Sequence, residues 1–170
     1  PRARLTIGPW DHGGYTRVGP KIFNRKPKFQ QDQEFLRFFD YHLKGEDTGF
    51  YQDSRVHYYT INEDRWKESE TWPPPGNDTV TMYFESEHRL LGTKPDEPGA
   101  SDRYEVDYKA STGKRNRWTS LVNLMHRPII YRDRRFKDKR LLCYQTEKLD
   151  EPTEITGHPV VRLWVSSTAD

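Results

Sequence analysis

The sequence predicts a mainly β protein, an antiparallel sandwich or jelly roll preceded by a shorter strand, loop and helix. Three observations predict it. After Gly49, short alternating apolar runs are separated by turn residues at spacings that leave no room for helices. Aromatic residues make up 14% of the chain while all apolar residues make up only 32%, a balance that suits large rings on half-buried strands. Before Gly49 a single helical period follows a single strand.

The first element is a strand in Ala3-Arg4-Leu5-Thr6-Ile7, where polar and apolar residues alternate. Gly8 and Pro9 break it, and Trp10, Asp11 and His12 follow before Gly13-Gly14 let the backbone turn sharply. A histidine on a glycine-lined loop past the end of a strand is where α/β enzymes place a general base. The same pattern fits a loop histidine with no chemical task. A polar passage then runs to about residue 28, with Pro20, Pro27 and no clear period, and reads as loop.

A helix is predicted over residues 31–44. Phe35, Phe38, Phe39, His42 and Leu43 recur at spacings of three and four, and Gly45 supplies the stop. His42 reads as a partly buried packing residue. Glu46 lies past the Gly45 stop, and no second histidine or carboxylate stands four residues away on the same face in a zinc-ligand arrangement, so no metal is expected. An aspartate at Phe39 is expected to destabilise the fold by placing an unpaired charge on the apolar face.

Strands are then predicted in Val56-His57-Tyr58-Tyr59-Thr60-Ile61, from Trp66 toward the proline stop after Trp72, and in Thr79-Val80-Thr81-Met82-Tyr83-Phe84. Further strands are expected over 102–108, 141–144 and 160–165. Cys143, inside Leu141-Leu142-Cys143-Tyr144, reads as a buried strand residue.

Composition narrows the function classes. A length of 170 residues suits one domain, or one and a fraction. The apolar share falls below the roughly 45–50% of a free-standing domain, and mean hydropathy is −1.08, so part of the surface is expected to belong against a missing partner. Five Trp, ten Tyr and eight Phe argue against disorder. A net charge of +2 gives no reason to expect nucleic acid. The basic residues Arg132, Arg134, Arg135, Lys137, Lys139 and Arg140 are interrupted by Asp133 and Asp138 and read as a solvated loop. A single cysteine forms no internal disulfide and fits a reducing, cytoplasmic setting. No run is apolar enough to span a membrane, Pro1 begins no signal peptide, and no phosphate-binding glycine loop or other cofactor motif is present.

Five segments in this order resemble a known family: Gly8-Pro9-Trp10-Asp11-His12-Gly13; Phe38-Phe39-Asp40-Tyr41-His42-Leu43-Lys44-Gly45-Glu46-Asp47-Thr48-Gly49; Trp72-Pro73-Pro74; Tyr104-Glu105-Val106-Asp107; and Glu154-Ile155-Thr156-Gly157 with Val160-Val161-Arg162-Leu163-Trp164-Val165-Ser166-Ser167 after it. Together they resemble the cocaine esterase and X-Pro dipeptidyl-peptidase (peptidase S15) group of α/β-hydrolases, over nearly the whole chain. The resemblance implies that residues 1–50 end an α/β-hydrolase domain and that 51–170 form a jelly roll, incomplete here. It implies acyl transfer from an ester or amide, X-Pro peptides included, to water. His12 would be the general base, and Gly8, Pro9 and Trp10 would shape its loop; substrate contacts are not assigned.

A hydrolase triad of this fold runs Ser, then Asp or Glu, then His. The nucleophilic serine and the acid are therefore expected before Pro1, and the isolated chain is expected to be inactive. Inside the chain, Gly99-Ala100-Ser101-Asp102-Arg103 lacks the second glycine of a nucleophile elbow and precedes a strand-like run, so Ser101 reads as a turn serine. Two rival readings stay open. Exposed coplanar Trp and Tyr rings would mark a carbohydrate-binding module, whereas a core module would bury Trp66, Trp72, Trp118 and Trp164. An open apolar face along residues 4–7 and the 35–43 helix would mark an interaction domain.

Overall fold

The computed structural model describes residues 3–10, 29–96, 99–110 and 134–168. Strand β1 (Leu5–Ile7) leads to helix α1 (Gln31–Phe39), which continues as one π-helical turn, Asp40–Lys44. Gly45 ends it at φ 74°, a left-handed position that glycine adopts without the strain a Cβ would add. Thr48 then folds back: its hydroxyl donates to the Arg37 carbonyl at 3.0 Å, and Lys44 pairs with Asp40 at 2.6 Å. The Lys44-Gly45-Glu46-Asp47-Thr48 segment is thus a helix terminator closed by its own side chains.

Strands β2 (Val56–Thr60) and β3 (Arg65–Ser69) follow as a hairpin. The turn between them uses Asn62 and Asp64 at positive φ, the two residue types besides glycine that tolerate it best. β1 pairs with β2 in parallel, Leu5 opposite Val56 and Ile7 opposite Tyr58, and β2 pairs with β3 antiparallel. Parallel neighbours need a long crossover, and α1 lies within it. One three-stranded sheet, ordered β1-β2-β3, therefore runs across the stretch from 49 to 55 where the sequence turns from helical to alternating patterning.

The central strand carries the core. Val56 and Tyr59 on β2 are buried, as is Phe50 from the turn before it. Phe50 receives Phe38 at 5.4 Å between ring centroids. The rest of the helix face differs from expectation. Phe35, Leu36, Phe39 and Leu43 are exposed, and His42 is an exposed residue in ring contact with Phe38 at 4.4 Å rather than a partly buried one. Helical spacing sets which side chains share a face; it does not supply the surface that covers them.

A second hairpin pairs β4 (Tyr83–Glu85) with β5 (Arg89–Leu91) through a tight turn in which Glu87 and His88 both take φ 58°. Gln145 adds a parallel bridge at Arg89, its N–H donating to the His88 carbonyl at 3.0 Å and its carbonyl accepting from Leu90 at 2.8 Å. Helix α2 (Arg135–Asp138) is one short turn in the basic run, where Arg140 pairs with Asp107.

The strand pattern is sparser than the alternation predicts. Residues 79–82, 102–108, 141–144 and 160–165 form no ladder, and among the described residues the two sheets remain open. Cys143 is half-buried, outside any strand. Alternation states which side chains share a face, but a ladder also requires a neighbouring backbone edge about 4.8 Å away. The described residues offer no such edge to 160–165, where Trp164 is 93% exposed. The described residues thus make a β-rich module with few helices, whose sheets do not close into a jelly roll. Among them no helix is long and apolar enough to cross a membrane.

Candidate functional site

The end of β1 is built to hold its loop in one place. The Trp10 N–H donates to the Gly8 carbonyl at 2.9 Å, a three-residue turn centred on Pro9. Pro9 is buried and its ring restricts φ at the centre of that turn. The Trp10 ring lies directly over Gly8: a Cβ there would stand 2.1 Å from Trp10 Cζ3, so only glycine permits this fold-back.

Trp10 then enters an aromatic cluster. Its centroid is 5.8 Å from both Phe29 and Trp66, Phe29 and Trp66 are 5.3 Å apart, and Tyr59 meets Trp66 at 5.4 Å. The interplanar angles of 38° to 66° are tilted contacts of the kind aromatic pairs prefer to a flat face-to-face stack. Tyr59 anchors the cluster from below. Its hydroxyl donates to Asp64 at 3.2 Å, and burial, followed by the Asp64 charge, pushes the phenol pKa up. Trp66 Nε1 is buried without a partner, which costs about 1–3 kcal/mol for a donor withdrawn from water.

Arg4 secures the other end of β1. Its guanidinium lies 2.7 Å from Glu34 on α1, donates to the Phe50 carbonyl at 2.9 Å and sits 4.5 Å over the Phe50 ring. Arg37 joins the same group, 2.7 Å from Asp53 and 3.2 Å from Glu34. The Arg37 hydrogen bond holds the Asp53 carboxyl below its ordinary range, and Asp53 raises Arg37 in return.

The structure therefore places Gly8, Pro9 and Trp10 in one packed turn. His12, with Asp11 and Gly13, lies outside the described residues, as does Trp118. The residues that the sequence reading missed are Arg4, Phe29, Tyr59 and Trp66. They are scattered over some sixty residues with no shared motif, and the pairing of β2 with β1 and with β3 brings Arg4, Tyr59 and Trp66 into one region.

Two segments singled out in the sequence also meet. Pro73 packs against Gly157, whose φ of 130° suits glycine, and the Trp72 and His158 rings are 6.2 Å apart. Asn77 donates to the Thr156 carbonyl at 3.2 Å. Glu154 pairs with Lys67 on β3 and accepts from Thr60 at 3.3 Å and Thr156 at 2.6 Å. These contacts clamp the chain near residue 155 onto the β2–β3 hairpin. Lys67 chiefly, then Thr156, keep the Glu154 carboxyl below its usual range. Trp66 and Trp72 are thus packing residues, whereas Trp164 is not.

A third cluster joins His88, Asp102 and Tyr144 beside an open depression of about 370 Å³ lined by His88, Arg89, Cys143 and Gln145, among others. The Tyr144 hydroxyl donates to Asp102, and His88 Nε2 is 3.7 Å from the same carboxylate. That hydrogen bond, with burial behind it, pushes the Tyr144 phenol up to about 12. Ser101, next to Asp102, is exposed and in no regular element.

The sequence profile of the X-Pro dipeptidyl-peptidase C-terminal non-catalytic domain matches residues 48–170. Over 169 residues, 99% of this chain, the sequence is 43% identical to a Mycobacterium bovis protein that carries the name serine esterase, covering 27% of it. A Mycobacterium tuberculosis protein of the same name matches equally. The cocaine esterase of a Rhodococcus species is 28% identical over 179 residues, 98% of this chain and 31% of that protein. The crystal structure of an aminopeptidase from a marine sediment thaumarchaeon aligns with a TM-score of 0.47 at 24% identity, covering 60% of this chain and 17% of that one. The chain spans about a quarter to a third of the length of these curated relatives.

Proposed function

Because the chain belongs to the family of X-Pro dipeptidyl-peptidase C-terminal non-catalytic domains, we propose that it is the C-terminal part of a serine hydrolase acting on ester or amide bonds. Residues 1–50 are the end of the α/β-hydrolase domain in this reading, and residues 51–170 are the jelly-roll domain that walls the substrate cleft. The observation that carries the proposal is the 43% identity, over 99% of this chain, to a protein that carries the name serine esterase.

The chemistry is acyl transfer to water. A serine on the portion of the hydrolase preceding this chain attacks the carbonyl of a small acyl ester or amide, an X-Pro peptide among the candidates. His12 accepts the serine proton and returns it to the leaving group. An aspartate from the same portion holds the imidazole in the required tautomer, and backbone amides stabilise the oxyanion. The role of Gly8, Pro9 and Trp10 is to aim His12. Asp11 is not the orienting acid, since neighbouring side chains on extended backbone point opposite ways. The exposed Phe35, Leu36, Phe39 and Leu43 face is where the remainder of the hydrolase domain packs.

That open face also favours a second reading, an interaction module without catalysis. One experiment separates the two. In the complete protein, His12→Ala should lower kcat for p-nitrophenyl ester hydrolysis by about a thousandfold or more, the scale on which loss of a triad member acts. Retention of most of the activity would remove His12 from the mechanism and leave the interaction reading standing.

A further inference from the structure

The ring cluster at the end of β1 joins two stretches of chain that the family match separates. The match to a non-catalytic domain begins at residue 48, and Trp66 on β3 lies well inside it. Gly8, Pro9 and Trp10 precede it by forty residues. Even so, the Trp66 ring packs at 5.8 Å against Trp10 and at 5.3 Å against Phe29. Tyr59, tied to Asp64, backs Trp66 from the same hairpin. The Trp10 ring also lies against Gly8, so Trp10 packs both on a backbone that leaves no room for a Cβ and on a ring supplied by β3.

We infer that Trp66 is a positioning residue for the hydrolytic site: it seats Trp10, and through Trp10 it sets where His12, two residues on, is presented. The inference rests on the reading of His12 as general base given above. It gives the domain described as non-catalytic an indirect part in kcat, through Trp10. The effect is on aim, since a displacement of about 1 Å in a reacting group can cost a hundredfold in rate.

The test uses the complete hydrolase with p-nitrophenyl butyrate as probe. Trp66→Leu should lower kcat by about tenfold to a hundredfold, leave KM within about twofold, and shift the pH profile of kcat/KM. Trp66→Phe should restore most of kcat because it returns a ring to Trp10. Gly8→Ala displaces the Trp10 ring with the added Cβ without altering the β2–β3 hairpin, and should reproduce the kcat loss even where Trp66→Leu fails to fold. A purely structural role would lower kcat only in step with the folded fraction and would leave the pH profile in place. A wild-type kcat and pH profile in folded Trp66→Leu, or in Gly8→Ala, overturns the inference. If His12→Ala is inactive in the same assay, that outcome counts against Trp66 alone; if His12→Ala remains active, the reading of His12 falls first.

Discussion

The Arg4 guanidinium and the Glu34 carboxylate meet at 2.7 Å, binding strand β1 to helix α1. The Arg4 side chain is only 10% exposed, and it also donates to the Phe50 carbonyl and lies over the Phe50 ring. Strand, helix and the turn before β2 are therefore held by one side chain. Removing it leaves Glu34 with Arg37 alone, at 3.2 Å, and takes the donor from the Phe50 carbonyl. Arg4→Ala should destabilise the chain by about 3 kcal/mol in urea denaturation. A loss below about 1 kcal/mol would mean that water replaces the guanidinium freely.

Phe38 and Phe39 adjoin in sequence and differ in what a charge would do. The expectation that an aspartate at Phe39 disrupts the fold does not survive the structure, because Phe39 is 51% exposed. Phe38 instead packs on His42 and on Phe50, which is 5% exposed. Phe38→Asp should cost about 2–3 kcal/mol, and Phe39→Asp less than about 1 kcal/mol in this chain. Paired thermal melts would settle the order; a larger loss at Phe39 would mean that its ring is covered in solution.

Acid should loosen both halves of the sheet. Arg37 holds Asp53 below its ordinary pKa, and Lys67 does the same for Glu154. The folded form thus binds these protons less tightly than the unfolded chain does. Their stabilisation is complete above the unfolded carboxyl values of about 4 and is lost as pH falls through the lower folded-state values. The melting temperature should therefore drop between about pH 5 and pH 2, and by less in Asp53→Asn with Glu154→Gln. An equal drop in that double variant would assign acid sensitivity to other carboxylates.

The clamp on residues 154–158 predicts a local effect. Lys67→Met leaves Glu154 without its cation, so the chain around residue 155 should be cleaved several-fold faster by trypsin or chymotrypsin under native conditions, while the global melting temperature changes little. Cleavage at the wild-type rate would show that Asn77, Pro73 and Trp72 suffice to hold the segment.

As a separate chain, these 170 residues should hydrolyse p-nitrophenyl esters no faster than free imidazole does. The prediction follows from the absence of a Gly-x-Ser-x-Gly elbow in the sequence. Saturable turnover would require a nucleophile within this chain.

Local chemistry determined much of this protein directly from sequence. Leu5–Ile7, the helix from Gln31 with its stop at Gly45, and Val56–Thr60 followed by Arg65–Ser69 are all legible, because period, glycine geometry and turn residues act within a few positions. The Gly8-Pro9-Trp10 turn was legible for the same reason, and the family resemblance rested on such short segments. Tertiary structure decided everything that depends on a partner. It paired β1 with β2 in parallel, left 160–165 without a ladder, and set Phe38 rather than Phe39 against the buried Phe50. It also assembled Trp10, Phe29, Tyr59 and Trp66 from distant positions. The physical reason is that alternation and helical period define a face, while burial is a property of two faces, and the second one is named nowhere in the local sequence.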